Sequence, residues 1–166
     1  MLMKIELRKW DMLVEGLCIV SIAGAIGMTA FSLPDLGDLI PTHLNAKGEI
    51  NAYGNKNRLW LLAFLPLVMY VLITSVSRKL TLYNLPVKIT SPEHFRIAYR
   101  ALSIIKLGIT LFLLWMLYDR IGLAKAWDRR QITDYMLLAF IVLTFGTIIY
   151  SLTRLSKVEN DIKNTH

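Results

Sequence analysis

Cysteine is almost missing from this sequence: Cys18 is the only one among 166 residues. One thiol cannot close an intrachain disulfide or build a cysteine-rich zinc site. Charge is scarce too, at 19% of residues, against roughly 25% in a soluble domain. There is no glycine-rich phosphate loop, no serine or cysteine in a recognisable nucleophile elbow, and no tract interleaving basic with aromatic residues. These gaps leave nucleotide hydrolysis, nucleophilic catalysis and nucleic-acid binding without support. Internal repeats and low-complexity tracts are likewise absent, which excludes solenoids and biased linkers.

What the sequence does have is apolar length. Hydrophobic residues make up 55% of the chain and the mean hydropathy is +0.48. Four stretches are nearly free of charge: Met12–Leu33, Leu59–Val76, Ala101–Tyr118 and Tyr135–Leu152. Each approaches or passes the roughly 18–20 apolar residues that a helix needs to cross a hydrocarbon core of about 30 Å. Inside lipid only a helix or a closed barrel satisfies its own backbone, and these stretches lack the in-out alternation of barrel strands. The first stretch exceeds the roughly 7–15-residue apolar core of a secretory signal, so it is expected to persist as a mature helix. The sequence therefore predicts an all-α integral membrane bundle of four transmembrane helices, with an ordered extracytoplasmic loop between the first two.

The formal charge of +7 reports topology. With the amino terminus inside, the cytoplasmic segments carry eleven Lys and Arg and the opposite side seven, leaving Lys106 in the membrane. Positive-inside bias places both termini in the cytoplasm, and the expected location is a bacterial cytoplasmic (inner) membrane. Trp10, Trp60, Trp115, Tyr118, Tyr135 and Tyr150 fall near the helix ends, where amphipathic rings sit at the headgroups.

The expected organisation is a cytoplasmic segment over residues 1–11, then a helix pair over 12–77 with a loop at 34–57. A basic amphipathic connector over 78–100, a second helix pair over 101–153 and a polar, frayed tail over 154–166 complete it. Pro66 predicts a kink tolerated for packing in the second helix. Ser91-Pro92-Glu93 supplies an N-cap, a proline at the first position and an acid in the first turn, so the third helix should start near Ser91. His94 and His166 lie in polar sequence and are expected to be solvated.

The loop between helices one and two carries the most information. Pro34 and Pro41 push Leu33 and Ile40 into extended conformations, and Ala46-Lys47-Gly48 supplies a turn. On extended chain His43 and Asn45 share a face, as do Glu49, Asn51 and Tyr53. A small hairpin would gather these polar groups above the bilayer. The candidate polar face is Asp35, His43, Asn45, Glu49, Asn51, Tyr53 and Lys56.

The string Leu33-Pro34-Asp35, then Ile40-Pro41-Thr42-His43-Leu44-Asn45-Ala46-Lys47-Gly48-Glu49, then Tyr53-Gly54-Asn55-Lys56 before a proline-containing helix resembles a bacterial membrane domain of unknown function. That family reads Leu-Pro-Asp, Ile-Pro-x-His-x-Asn-x-x-Gly, then Asp, Gly and Lys, between two transmembrane helices. The same domain forms part of SdpI-type immunity proteins, which protect a cell from a secreted peptide toxin and relay its presence to a regulator. The resemblance runs from about Gly16 to Ser77 and implies a non-enzymatic protein that senses or resists an envelope-acting peptide. Two departures stand out: Gly37-Asp38-Leu39 expands the spacing between the prolines, and Asn51 replaces a common aspartate. Helices three and four match none of the additional helices of SdpI-type proteins.

No catalytic residue, metal site or cofactor is expected. His43 with Asp35, Asp38 or Glu49 offers one imidazole and no thiolate, short of an ordinary zinc set; His43 and Asn45 are instead read as fastening the loop's own turns. Glu15 and Lys106 are ionisable groups within apolar helices, read as snorkelling or as a structural ion pair before a transport relay. That relay, in a small transporter or accessory subunit, is the alternative to peptide sensing; a metal-assisted membrane enzyme ranks below both. Ser21, Ala25 and Thr29 form a small-residue stripe that permits close helix packing, with a homo-oligomer contact as the minority reading. The partners implied are the lipid bilayer and an extracytoplasmic peptide or membrane protein, with no nucleic acid.

Overall fold

The structure is a computed structural model that describes residues 9–45, 49–78, 91–126 and 132–163. Helix α1 spans Lys9–Ser32, strands β1 and β2 span Leu39–Leu44 and Ile50–Asn55, and helices α2, α3 and α4 span Leu59–Arg78, Pro92–Ala124 and Ile132–Lys163. Short 3-10 turns at Leu33–Asp35 and Lys56–Arg58 join the hairpin to α1 and α2. All four helices are long and apolar enough to cross a membrane. Large apolar side chains such as Phe31, Leu61 and Tyr135 are mostly exposed, as expected where the solvent of the outer surface is lipid.

Helix α3 is the centre of the bundle. Its buried residues Phe95, Tyr99, Ser103, Lys106, Thr110, Leu113, Leu117 and Ile121 recur every three or four positions, which makes one continuous stripe on a 3.6-residue helix. Helices α1, α2 and α4 all pack against it, and α1 also packs against α2. On α1 the buried stripe is Asp11, Val14, Cys18, Ser21, Ile22, Ala25 and Thr29. The small residues read from the sequence thus lie inside the bundle. Pro66 is fully buried within α2.

Helix α3 has 33 residues, about 50 Å of helix at 1.5 Å per residue, so it outruns a hydrocarbon core of about 30 Å. Ser91 caps it: its backbone is extended and its Oγ accepts from the His94 N–H at 3.2 Å. The expectation that His94 is solvated is wrong. Its side chain is 1% exposed, with Nδ1 3.2 Å from Ser91 Oγ. His94 is itself buried beside Phe95 in the first turn of α3, which packs into the bundle although its neighbours in sequence are polar. The stretch read as a frayed tail also differs, since α4 continues to Lys163. No Pro or Gly follows Gly146, so nothing there interrupts helix propagation. Most of the connector over 78–100 and His166 lie outside the described residues.

The interior divides into two chemistries. At the hairpin end the core is Ala25, Leu36, Ile40, Leu59, Ala63, Leu117 and Ile121. Towards the opposite end, buried Lys106, Ser103, His94, Ser77 and Asp11 stand among the apolar residues.

Candidate functional sites

The hairpin is fixed to the helices by its own apolar residues. Leu36 and Ile40 are 5% and 4% exposed, packed with Leu59 and Leu117, so the connection enters the core before the chain turns back. The antiparallel register pairs Leu39 with Asn55, Ile40 with Gly54, Pro41 with Tyr53, His43 with Ala52 and Leu44 with Ile50. Thr42 is therefore an extra residue on β1 and Asn51 an extra residue on β2. These two bulges break the strict alternation assumed from the sequence. One consequence is that His43 Nδ1 lies 2.6 Å from Asn51 Oδ1.

The remaining polar side chains are also engaged. Asn45 Nδ2 donates to Glu49 Oε2 at 2.8 Å while Asn45 Oδ1 accepts from the Glu49 N–H at 2.9 Å. The Asn45 N–H donates to the Glu49 carbonyl at 2.9 Å. Three hydrogen bonds thus close the mouth of the turn between the strands. Lys56 Nζ donates to the Leu36 carbonyl at 2.9 Å and lies 3.4 Å from Asp38 Oδ1, tying the exit of the hairpin to its entrance. Asp35 Oδ2 pairs with Lys125 Nζ at 3.2 Å, bridging to the end of α3. Space at Gly54 is tight: a Cβ there would stand 2.9 Å from Thr42 Cγ2 and 3.1 Å from Arg58 Nη1, so those side chains would have to shift. Tyr53 is 62% exposed, and Leu39 and Ile50 are also exposed. Among the described residues no group of three His, Cys, Asp or Glu side chains comes together.

The second constellation lies inside the bundle, away from the hairpin. Lys106, 2% exposed, puts Nζ 2.5 Å from Glu15 Oε1. The same ammonium donates to Thr74 Oγ1 at 3.1 Å and sits 4.6 Å from the centroid of the Tyr70 ring. Helices α1, α2 and α3 each contribute, so a cation carried on the central helix is held by groups from both neighbours. Its solvation shell is replaced by a carboxylate, a hydroxyl and an aromatic face. The sequence singled out Glu15 and Lys106 but not Tyr70 and Thr74. Their four-residue spacing on one face of a predicted helix was the available signal.

Four helices of spanning length among the described residues make the chain a multi-pass membrane protein. Within it, residues 20–70 match the model of a family described as Domain of unknown function (DUF1648). The matched stretch runs from inside α1 through the whole hairpin into α2, and is similar to that domain over these residues alone. No curated protein and no solved structure matches the chain.

Proposed function

We propose that the chain is a non-enzymatic membrane protein whose hairpin senses or resists an envelope-acting peptide, as in SdpI-type immunity, from a bacterial cytoplasmic membrane. The observation that carries this reading is a hairpin fastened to the bundle by Leu36, Ile40 and Lys56 while Leu39, Ile50 and Tyr53 remain exposed. His43 is paired with Asn51, Asn45 with Glu49 and Lys56 with Asp38, so the outward surface combines apolar contacts with strand edges, a combination suited to an extended amphipathic peptide. The family match over residues 20–70 covers this hairpin, and the role itself comes from the resemblance of the hairpin's motif to SdpI-type proteins. Positive-inside bias supports placing it on the extracytoplasmic side of the membrane.

Deletion of the gene should sensitise the cell to a secreted membrane-active peptide. Wild-type protein should restore resistance, and Ile50→Asp/Tyr53→Asp protein present at equal membrane level should not. Equal sensitivity of deletion and parent strains to such peptides would sink the proposal. His43→Ala protein that remains folded tests the imidazole separately: unchanged binding removes His43 from the site.

A second reading, a small transporter or accessory subunit, rests on the Lys106–Glu15 pair, since ionisable groups at membrane depth often mark ion paths. It requires a flux in liposomes that disappears in Glu15→Gln/Lys106→Met protein, and fails if wild-type vesicles carry none.

A further inference from the structure

Helices α3 and α4 meet tightly at one level and part at another. Phe112 and Phe140 stack with centroids 4.5 Å apart, and a Cβ on Gly108 would stand 3.1 Å from Leu143 Cδ2. Towards the amino end of α3 and the carboxyl end of α4, a groove of about 540 Å³ opens between them. Gly146 of α4 lines it, and a Cβ there would meet nothing within 4 Å. The volume falls within the roughly 300–1,000 Å³ of small-molecule sites.

The groove is graded in chemistry along its length. Towards the middle of the two helices its lining is Ile104, Val142 and Leu143; towards their ends it is Arg100 and Arg154 with Trp10 and Tyr150. Arg100 Nε is buried and has no hydrogen-bond partner among the described residues. The Thr147 and Ser151 hydroxyls beside it donate to the Leu143 and Thr147 carbonyls of their own helix and carry no charge to balance the guanidiniums. Two guanidiniums flanked by interfacial aromatics at one end and an apolar slot at the other match an amphiphile with an anionic head. Successive turns of α4, from Arg154 through Tyr150 and Gly146 to Val142, rise from head level to chain level.

We propose that this groove is a selective site for an anionic glycerophospholipid, its phosphate between Arg100 and Arg154 and one acyl chain along Gly146, Val142 and Ile104. Charge complementarity chooses the occupant: a zwitterionic lipid brings a compensating cation to the same place, and a second copy of this chain would have to bury the two arginines against its own. Basic pockets between transmembrane helices bind anionic headgroups for the same reason. The site lies at the end of the bundle away from the hairpin and does not depend on what the hairpin binds.

Trp10 reports occupancy directly. Full-length Trp60→Phe/Trp115→Phe/Trp127→Phe protein is reconstituted in phosphatidylcholine vesicles carrying a small fraction of lipid brominated on its acyl chains. Brominated phosphatidylglycerol should quench Trp10 at lower mole fraction than brominated phosphatidylcholine. Arg100→Gln and Arg154→Gln should each cut that preference by about fivefold, the worth of one basic residue at an anionic surface. Gly146→Leu adds a side chain to open space and favours helix, so it should fold while reducing quenching by both lipids. Equal quenching by the two lipids in the wild type overturns the proposal. So does a preference unchanged by either arginine substitution, quenching unaffected by Gly146→Leu, relief of quenching by soluble phosphate, or loss of quenching as protein density rises and copies pair.

Discussion

At the hairpin end the interior is apolar and the ion pairs lie outside: Asp35 with Lys125 and Asp38 with Lys56, their carboxylates 68% and 92% exposed. Towards the other end the pair is inside, with Lys106 2% and Glu15 21% exposed. The bond types are the same and the surroundings are not. An exposed pair exchanges good hydration for a weak attraction and is worth about 0–1 kcal/mol. A buried pair has lost its hydration, so each partner depends on the other. The hairpin end is packed around Leu36 and Ile40, whereas the far end sets one cation and its partners among buried Val14, Cys18, Phe95 and Tyr99.

Breaking the inner pair on one side is the largest effect expected. Lys106→Met leaves the Glu15 carboxylate without its cation and should cost about 3–5 kcal/mol, the usual penalty for orphaning a buried charge. Glu15→Gln/Lys106→Met should recover most of that loss, because no charge is then stranded. Thermal unfolding of the purified protein in detergent measures both. If the single substitution costs less than about 1 kcal/mol, water reaches the pair and the distinction between the ends collapses.

Gly54→Ala comes next and tests the hairpin end. The added methyl would sit 2.9 Å from Thr42 Cγ2, and overpacking of this kind costs about 1–3 kcal/mol. Thr42→Ser removes that methyl and keeps the hydroxyl, so the double variant should regain much of the stability and of the hairpin's hydrogen-exchange protection. A Gly54→Ala protein as stable as the wild type would show that β2 can shift without disturbing the core.

Helix spans and the cap at Ser91 were legible in the sequence because they depend on local signals, apolar length and a Ser-Pro-Glu triplet; the turn read at Ala46-Lys47-Gly48 lies outside the described residues, and Leu33, expected extended before Pro34, opens a 3-10 turn instead. The importance of Glu15 and Lys106 was legible too, since a charge in an apolar run is conspicuous. Their enclosure by Tyr70 and Thr74 was not, because it depends on the rotation of α2 about its axis. Asp35 and Lys125 meet across 90 positions, a separation on which no local pattern bears. The Thr42 and Asn51 bulges escaped because alternation assumes a regular ladder. His94 was misread because polar neighbours in sequence were taken for water in space.

Removing the outer pair sharpens the comparison from the other side. Lys125→Ala should change stability by less than about 1 kcal/mol, and the difference from wild type should shrink as salt is raised. The Lys106→Met deficit should hold in the same salt series, since buried charges are poorly screened. Equal salt sensitivity would place both pairs in the same environment.

The smallest effect tests whether the two ends are independent. Ala126 closes α3 with φ 53°, its N–H donating to the Leu123 carbonyl at 3.2 Å while the Lys125 N–H donates to Ile121 at 2.9 Å. A left-handed residue with a Cβ costs roughly 1–2 kcal/mol, and glycine's greater freedom in the unfolded chain returns about 0.5–1 kcal/mol of that. Ala126→Gly should therefore stabilise by about 0.5–1 kcal/mol, read as a rise in the unfolding midpoint. Twenty helical residues, about 30 Å, separate this cap from Lys106. Sites so far apart add to within about 0.3–0.5 kcal/mol when they share no partner, so Ala126→Gly/Lys106→Met should show the sum of the two changes. A larger departure would mean that α3 transmits between the hairpin end and the ion pair, a coupling through which a peptide bound outside could reach the polar interior.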